Sequence, residues 1–326
     1  MESDARLQPW LLCARGIAAD PGRLVPPIAT PDMGVLMMSL LVRMPEKPCS
    51  TTRICEVVSP ASPGLGLSSI YLGFVYLRQG ERRGFDFGPL DTVVVVMTGS
   101  VEAEWEDADG QMKRYAALGR RDVFDGLPWA ICARPFTTLH LKGVSATAEL
   151  ALIRAELIDE DVAPGSARPP EPGATIVSSH GPRVVDQMSE GQSRQVRRIA
   201  RVERLADRDG AEIRRLVVGE TLISAGAGCD SALCQDDDIA DGEGPADPAC
   251  EGVLHYRFRP GQGPAIQGIC SPSCDYDHTY QVQHGDTVAV PSGFRPKAPA
   301  SDCDLYILWA RTGAGVSSTQ RGGCPG

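Results

Sequence analysis

The feature that most constrains this chain is a succession of short apolar runs, each closed by Gly, Pro or Asp. In order they read "SIYLGFVYL", "TVVVVMTGSVEAEW", "AELALIRAEL", "EIRRLVVGETLI", "VLHYRFRP", "TYQVQHGDTVAVP" and "DLYILWAR". Runs of this length, rich in β-branched and aromatic residues and bounded by turn formers, read as strands. An all-β fold with few short helices is therefore expected. The 35 glycines and 26 prolines are ordinary in number for 326 residues, and it is their clustering around the Val-rich runs that favours turn-rich structure.

The runs fall into two halves. A Pro-rich segment near residues 157–180 suits a connector and disfavours an element interior. Each half begins with a strand, passes a charged turn and closes on a Gly/Pro-punctuated strand, the trace that a duplicated β-barrel would leave. The expected organisation is an extension at 1–33, a first barrel at 34–156, a linker at 157–180, a second barrel at 181–312 and a Gly/Ser-rich tail at 313–326. The two barrels are expected to face each other.

Charge and hydropathy exclude several partners. A net charge of -10 argues against a sequence-independent grip on nucleic acid, which needs cations to displace counterions. The locally basic stretch at 194–208 alternates with Val, Ile and Leu, as a solvated element with one buried stripe would. The longest apolar run, "GVLMMSLLV" at 34–42, is too short to cross a bilayer and suits a buried strand. The N-terminus carries acids and lacks a basic region leading into an apolar core, so a cytoplasmic protein is expected. Eleven cysteines, an odd count without a leader, point to reduced thiols. Cys229-x4-Cys234 and Cys270-x3-Cys274 could be zinc half-sites but lack tandem CxxC spacing.

One set of motifs is specific. "GRRDVFDGLP" (119–128), "RQVRRI" (194–199), "LVVGET" (216–221), "HYRFRPGQG" (255–263), "HGDTVAVPSGF" (284–294) and "DLYILWARTG" (304–313) follow in order. Together they resemble the bacterial 5-deoxyglucuronate isomerase family of inositol catabolism. The resemblance implies a bicupin of two jelly-roll barrels and ketol isomerisation of 5-deoxy-glucuronate to 5-dehydro-2-deoxy-gluconate. It also implies a divalent metal, zinc or similar, held in the second barrel by a His-x-His pair, a downstream Glu and a later His.

The residues at those places differ. After the Gly-Glu of "VVGET" stands a segment at 223–244 without histidine, where either Cys234 and Asp236 or Gln235 and Asp237 take the paired positions. The glutamate position falls on Gly252 and the last histidine on Arg295. Alternation places Gly252, Leu254, Tyr256 and Phe258 toward the barrel, with Glu251, Val253, His255 and Arg257 outward. A bulge at Gly252 would be needed to turn Glu251 inward. The candidate metal ligands are thus Cys234, Asp236 and Glu251. His255 reads as a surface residue, His278 and His284 as loop residues, and His140 and His180 as no part of a ligand pair.

Arg295 could clasp the carboxylate of a sugar acid or pair with Asp236 or Asp237. The isomerase reading stands first. Its alternatives are a non-catalytic bicupin that binds a sugar acid or a protein partner, and metal-free catalysis by Asp236 or Asp237 with Arg295. A homodimer that covers exposed strand edges is expected on general grounds.

Overall fold

The computed structural model describes residues 39–43, 54–157, 172–177, 183–189, 192–205, 212–225, 250–261, 263–271, 276–297 and 299–316. Every regular element among them is a strand, so the fold is all-β and the short helices expected from the sequence do not occur among the described residues. None of these residues forms a helix long and apolar enough to cross a membrane. The first half contains β1 (Leu41–Val42), β2 (Cys55–Val58), β3 (Ile70–Arg78), β4 (Arg82–Asp86), β5 (Asp91–Glu106), β6 (Met112–Arg120), β7 (Ala130–Ala133), β8 (Thr138–Gly143), β9 (Thr147–Ala155) and β10 (Ala174–Val177). The second contains β11 (Arg183–Ser189), β12 (Gln192–Leu205), β13 (Glu212–Ile223), β14 (Glu251–Arg259), β15 (Ala265–Ser271), β16 (Tyr276–Val282), β17 (Thr287–Val290), β18 (Arg295–Pro296), β19 (Ala300–Ser301) and β20 (Asp304–Val316).

Each half is two antiparallel sheets closed on a hydrophobic interior. In the first barrel a sheet ordered β10-β7-β5-β9-β3-β2 faces a second made by β4, β8, β6 and the far part of β5. Strand β5 serves both sheets because it bends at two register shifts, on either side of Gly99. Gly99 has φ +79, and a Cβ there would lie 2.2 Å from the Thr147 carbonyl oxygen, so only glycine fits. Val94, Val96, Leu150 and Leu152 pack inward against Val101, Trp105, Leu139 and Leu141. In the second barrel a sheet ordered β1-β17-β14-β20-β13-β12-β11 faces β16-β15-β18 with β19. Tyr256, Phe258, Ile269, Val282, Leu305 and Trp309 fill its interior.

A third core lies between the barrels, where the large sheets stack back to back. Ile70, Leu72, Phe74, Val93, Val95 and Ile153 meet Val218, Val253, Ala289, Leu308 and Ala310 there. This explains why "VVVVM" and "LYILWA" do not alternate between apolar and polar residues: both of their faces are covered.

Two boundaries differ from the sequence reading. Strand β1 pairs with β17, Leu41 opposite Val288, and so belongs to the second barrel. Leu40, only 1% exposed, is buried among second-barrel residues, and its N–H donates to the Tyr280 hydroxyl at 3.2 Å. Burial of Leu40 there, and not position along the chain, sets the pairing. Strand β10 lies within the expected linker and adds to β7 of the first barrel, Ala174 opposite Ala133. Gly285 and Asp286 form the turn before β17: Gly285 has φ +88, and the buried Asp286 carboxylate accepts from Gln283 N–H at 2.7 Å and pairs with Arg43.

Candidate functional site

Three polar anchors cross the seam between the barrels, and they draw in the motif residues Arg120, Arg197, Glu220, His255, Arg257 and Tyr306. Arg120, at the end of β6, and Glu220, on β13, are both buried. Glu220 accepts from Arg120 Nη1 at 2.8 Å and from Arg197 Nη1 at 2.9 Å. Arg120 also donates to the Tyr306 hydroxyl at 3.2 Å and the Met97 carbonyl at 3.3 Å, and Arg197 to the Gly126 carbonyl at 3.0 Å. A lone buried carboxylate would be costly; here two guanidinium groups answer it and the remaining donors find carbonyls. Burial, reinforced by Glu220, holds the Tyr306 hydroxyl far above its usual range, so it stays protonated.

The second anchor is Glu251, the residue weighed as a replacement metal ligand. Its Oε1 accepts from Ser69 N–H at 2.6 Å, Ser69 Oγ at 2.8 Å and Ile70 N–H at 2.8 Å, and its Oε2 from Ser68 N–H at 2.7 Å and Ser68 Oγ at 3.0 Å. No register shift interrupts β14 at Gly252, which stands opposite Arg311 on one side and Val290 on the other. Without a bulge Glu251 keeps the outward phase, and its carboxylate ties the second barrel to the entry of β3.

The third anchor centres on Arg257. It pairs with Glu149, which also accepts from the Tyr76 hydroxyl at 3.0 Å. Its Nε donates to His255 Nε2 at 3.0 Å, which leaves His255 Nδ1–H to donate to Thr287 Oγ1 at 3.0 Å. His255 is 0% exposed, with its ring 4.6 Å from that of Phe74. Burial, and then the Arg257 charge, hold its pKa well below the usual value. The sequence placed His255 on the surface because alternation distinguishes two faces without saying what covers the second, and here the first barrel does.

The inward face of β14 carries Gly252, Leu254, Tyr256 and Phe258, as alternation required. Near Gly252 a cavity of about 30 Å³ is lined by Leu254, Val290, Phe294, Pro296, Trp309 and Arg311; Glu251 also borders it, with its carboxylate held by Ser68, Ser69 and Ile70. Trp309 can lie flat across β13 because its neighbour there is Gly219, where a Cβ would come within 2.1 Å of the indole. Arg295 is not among the lining residues. Register puts Pro296 opposite the fully buried Ile269 and Arg295 opposite Cys270, so Arg295 takes the other face of β18. The guanidinium that does line the cavity is Arg311, which sequence reasoning missed. Its signal was its place in phase with Leu305, Ile307 and Trp309 on β20.

A wider opening of about 470 Å³ lies at one end of the first barrel, beside Trp105, Lys113, Tyr115 and Arg134. Lys113 there is answered by Asp107 at 3.0 Å. Among the described residues no three His, Cys, Asp or Glu side chains converge as metal ligands. Glu251, the candidate ligand among the described residues, has both carboxylate oxygens engaged by Ser68, Ser69 and Ile70. The candidates Cys234, Asp236 and Asp237 lie outside the described residues.

Two antiparallel barrels packed through their larger sheets define a bicupin. The chain belongs to the KduI/IolB family, whose model matches residues 41–321. A 5-deoxy-glucuronate isomerase from Lacticaseibacillus casei is 33% identical over 64 residues, a match that spans 20% of this chain and 24% of that protein. The crystal structure of an IolB-like protein from Salmonella typhimurium LT2 superposes with a TM-score of 0.59 at 20% identity, over 82% of this chain and 95% of that one. That likeness shows a shared fold.

Proposed function

We propose that this protein is a sugar-acid isomerase of the 5-deoxy-glucuronate type, interconverting the aldose with the ketose 5-dehydro-2-deoxy-gluconate in inositol catabolism. The observation that carries this reading is family membership across residues 41–321. The reaction moves a proton from the carbon beside the aldehyde to the aldehyde carbon through an enediolate, and a fixed positive charge near the developing oxyanion assists it.

A second reading is a bicupin that binds a sugar acid without turning it over. Its specific support is that the inward position expected to carry a metal-binding carboxylate is Gly252, with Arg311 opposite it. Proton NMR of the full chain with 5-deoxy-glucuronate in D2O separates the two. Conversion with deuterium uptake above the protein-free rate supports the isomerase. Saturable binding without conversion supports the second reading, and neither binding nor conversion overturns both.

A further inference from the structure

We infer that the interior of the second barrel is a carboxylate pocket, built from Arg311 and the indole N–H of Trp309. Arg311 stands on the inward face of β20 between Gly252 and Val217. Arg120, Arg197, Arg257 and Arg259 each have an acidic partner. Arg311, by contrast, pairs with no carboxylate among the described residues and lines a cavity.

Trp309 lines the same cavity, is 3% exposed, and its Nε1 is a buried donor with no hydrogen-bond partner. Native structures rarely leave such a donor unanswered, and those that do call for an explanation such as a ligand. A buried donor without an acceptor and an arginine without an acidic partner border one cavity, and together they call for an acceptor that carries negative charge.

The remaining chemistry narrows that acceptor. A cavity of about 30 Å³ holds about one or two waters or a single carboxylate head. The guanidinium fork matches a carboxylate through two parallel hydrogen bonds, and the apolar walls of Leu254, Val290 and Phe294 strengthen such bonds by excluding water. A cation beside Arg311 would be repelled. The ligand is either a one- or two-carbon acid wholly inside or the head of a longer acid whose body stays outside. This inference does not rest on the isomerase reading, since the pocket binds whether or not turnover follows.

Calorimetric titration of the full chain tests it, with sodium formate, acetate and glucuronate against sodium chloride at matched ionic strength. Saturable binding of carboxylates but not chloride is expected, and Arg311→Met should weaken it by about tenfold or more. Arg311→Lys, which keeps the charge and loses the fork, should fall between, and it serves if the Met variant fails to fold. Trp309→Phe should weaken binding and remove the accompanying fluorescence change. Binding of formate and acetate alone marks a small acid as the ligand, and binding of glucuronate as well marks the head of a longer one. Absence of saturable binding, or wild-type affinity in both Arg311 variants, overturns the pocket.

Discussion

The two faces of strand β14 differ in chemistry and in how the polar groups on them are answered. Toward the first barrel, Glu251, His255 and Arg257 all find partners, and Glu251 alone accepts five hydrogen bonds. Toward its own barrel the strand presents Gly252, Leu254, Tyr256 and Phe258; beside them the Trp309 indole N–H has no acceptor and Arg311 has no acidic partner among the described residues. The difference separates frame from site. The motif residues that carry the family likeness, Arg120 and Glu220, lie in the seam, so the likeness testifies first to how the barrels are joined.

The hardest test of that separation is Glu220→Ala. It strands two buried guanidinium groups, and the expected loss is about 3–5 kcal/mol in urea unfolding. A loss below about 1 kcal/mol would show that the seam does not rest on this triad. Glu251→Ala should have the next largest effect, near 2 kcal/mol, because three backbone N–H groups at Ser68, Ser69 and Ile70 lose their acceptor. Elemental analysis sharpens the comparison here. A seam residue leaves metal content unchanged on substitution, whereas a drop in metal would move Glu251 to the site.

How far the sequence could be read follows the same division. Strand alternation sorted the two faces of β14, since that signal is local, whereas the barrel to which β1 and β10 add is set by pairing between distant residues. The assignment of His255 to solvent failed because alternation is blind to the partner sheet. The unbroken apolar runs of β5 and β20 held the missing information, for only a sheet covered on both faces can be apolar at every position. Arg295 and Arg311 were exchanged for a related reason. The side of a two-residue strand such as β18 depends on its register with β15, a contact between residues distant in sequence.

The smallest expected effect is a pH dependence of the seam through His255. Burial and Arg257 depress its folded pKa, whereas in the unfolded chain it titrates near about 6.5. Above that value the ring is neutral in both states and the slope is flat. As pH falls below it the unfolded chain takes up a proton that the folded one refuses, so stability declines by up to about 1.4 kcal/mol per pH unit. The groups that face the ring, Arg257 and His284, both oppose protonation. His284 is itself depressed, chiefly by burial and then by Arg257, and adds to the slope with the same sign. Carboxylates of ordinary pKa titrate near 4 and leave the window from pH 5 to 6.5 to histidine. Urea unfolding across that window should give a shallower slope for His255→Asn than for the wild type. Equal slopes would mean that the ring is protonated in the fold, and that Arg257 does not hold it in the neutral form the seam requires.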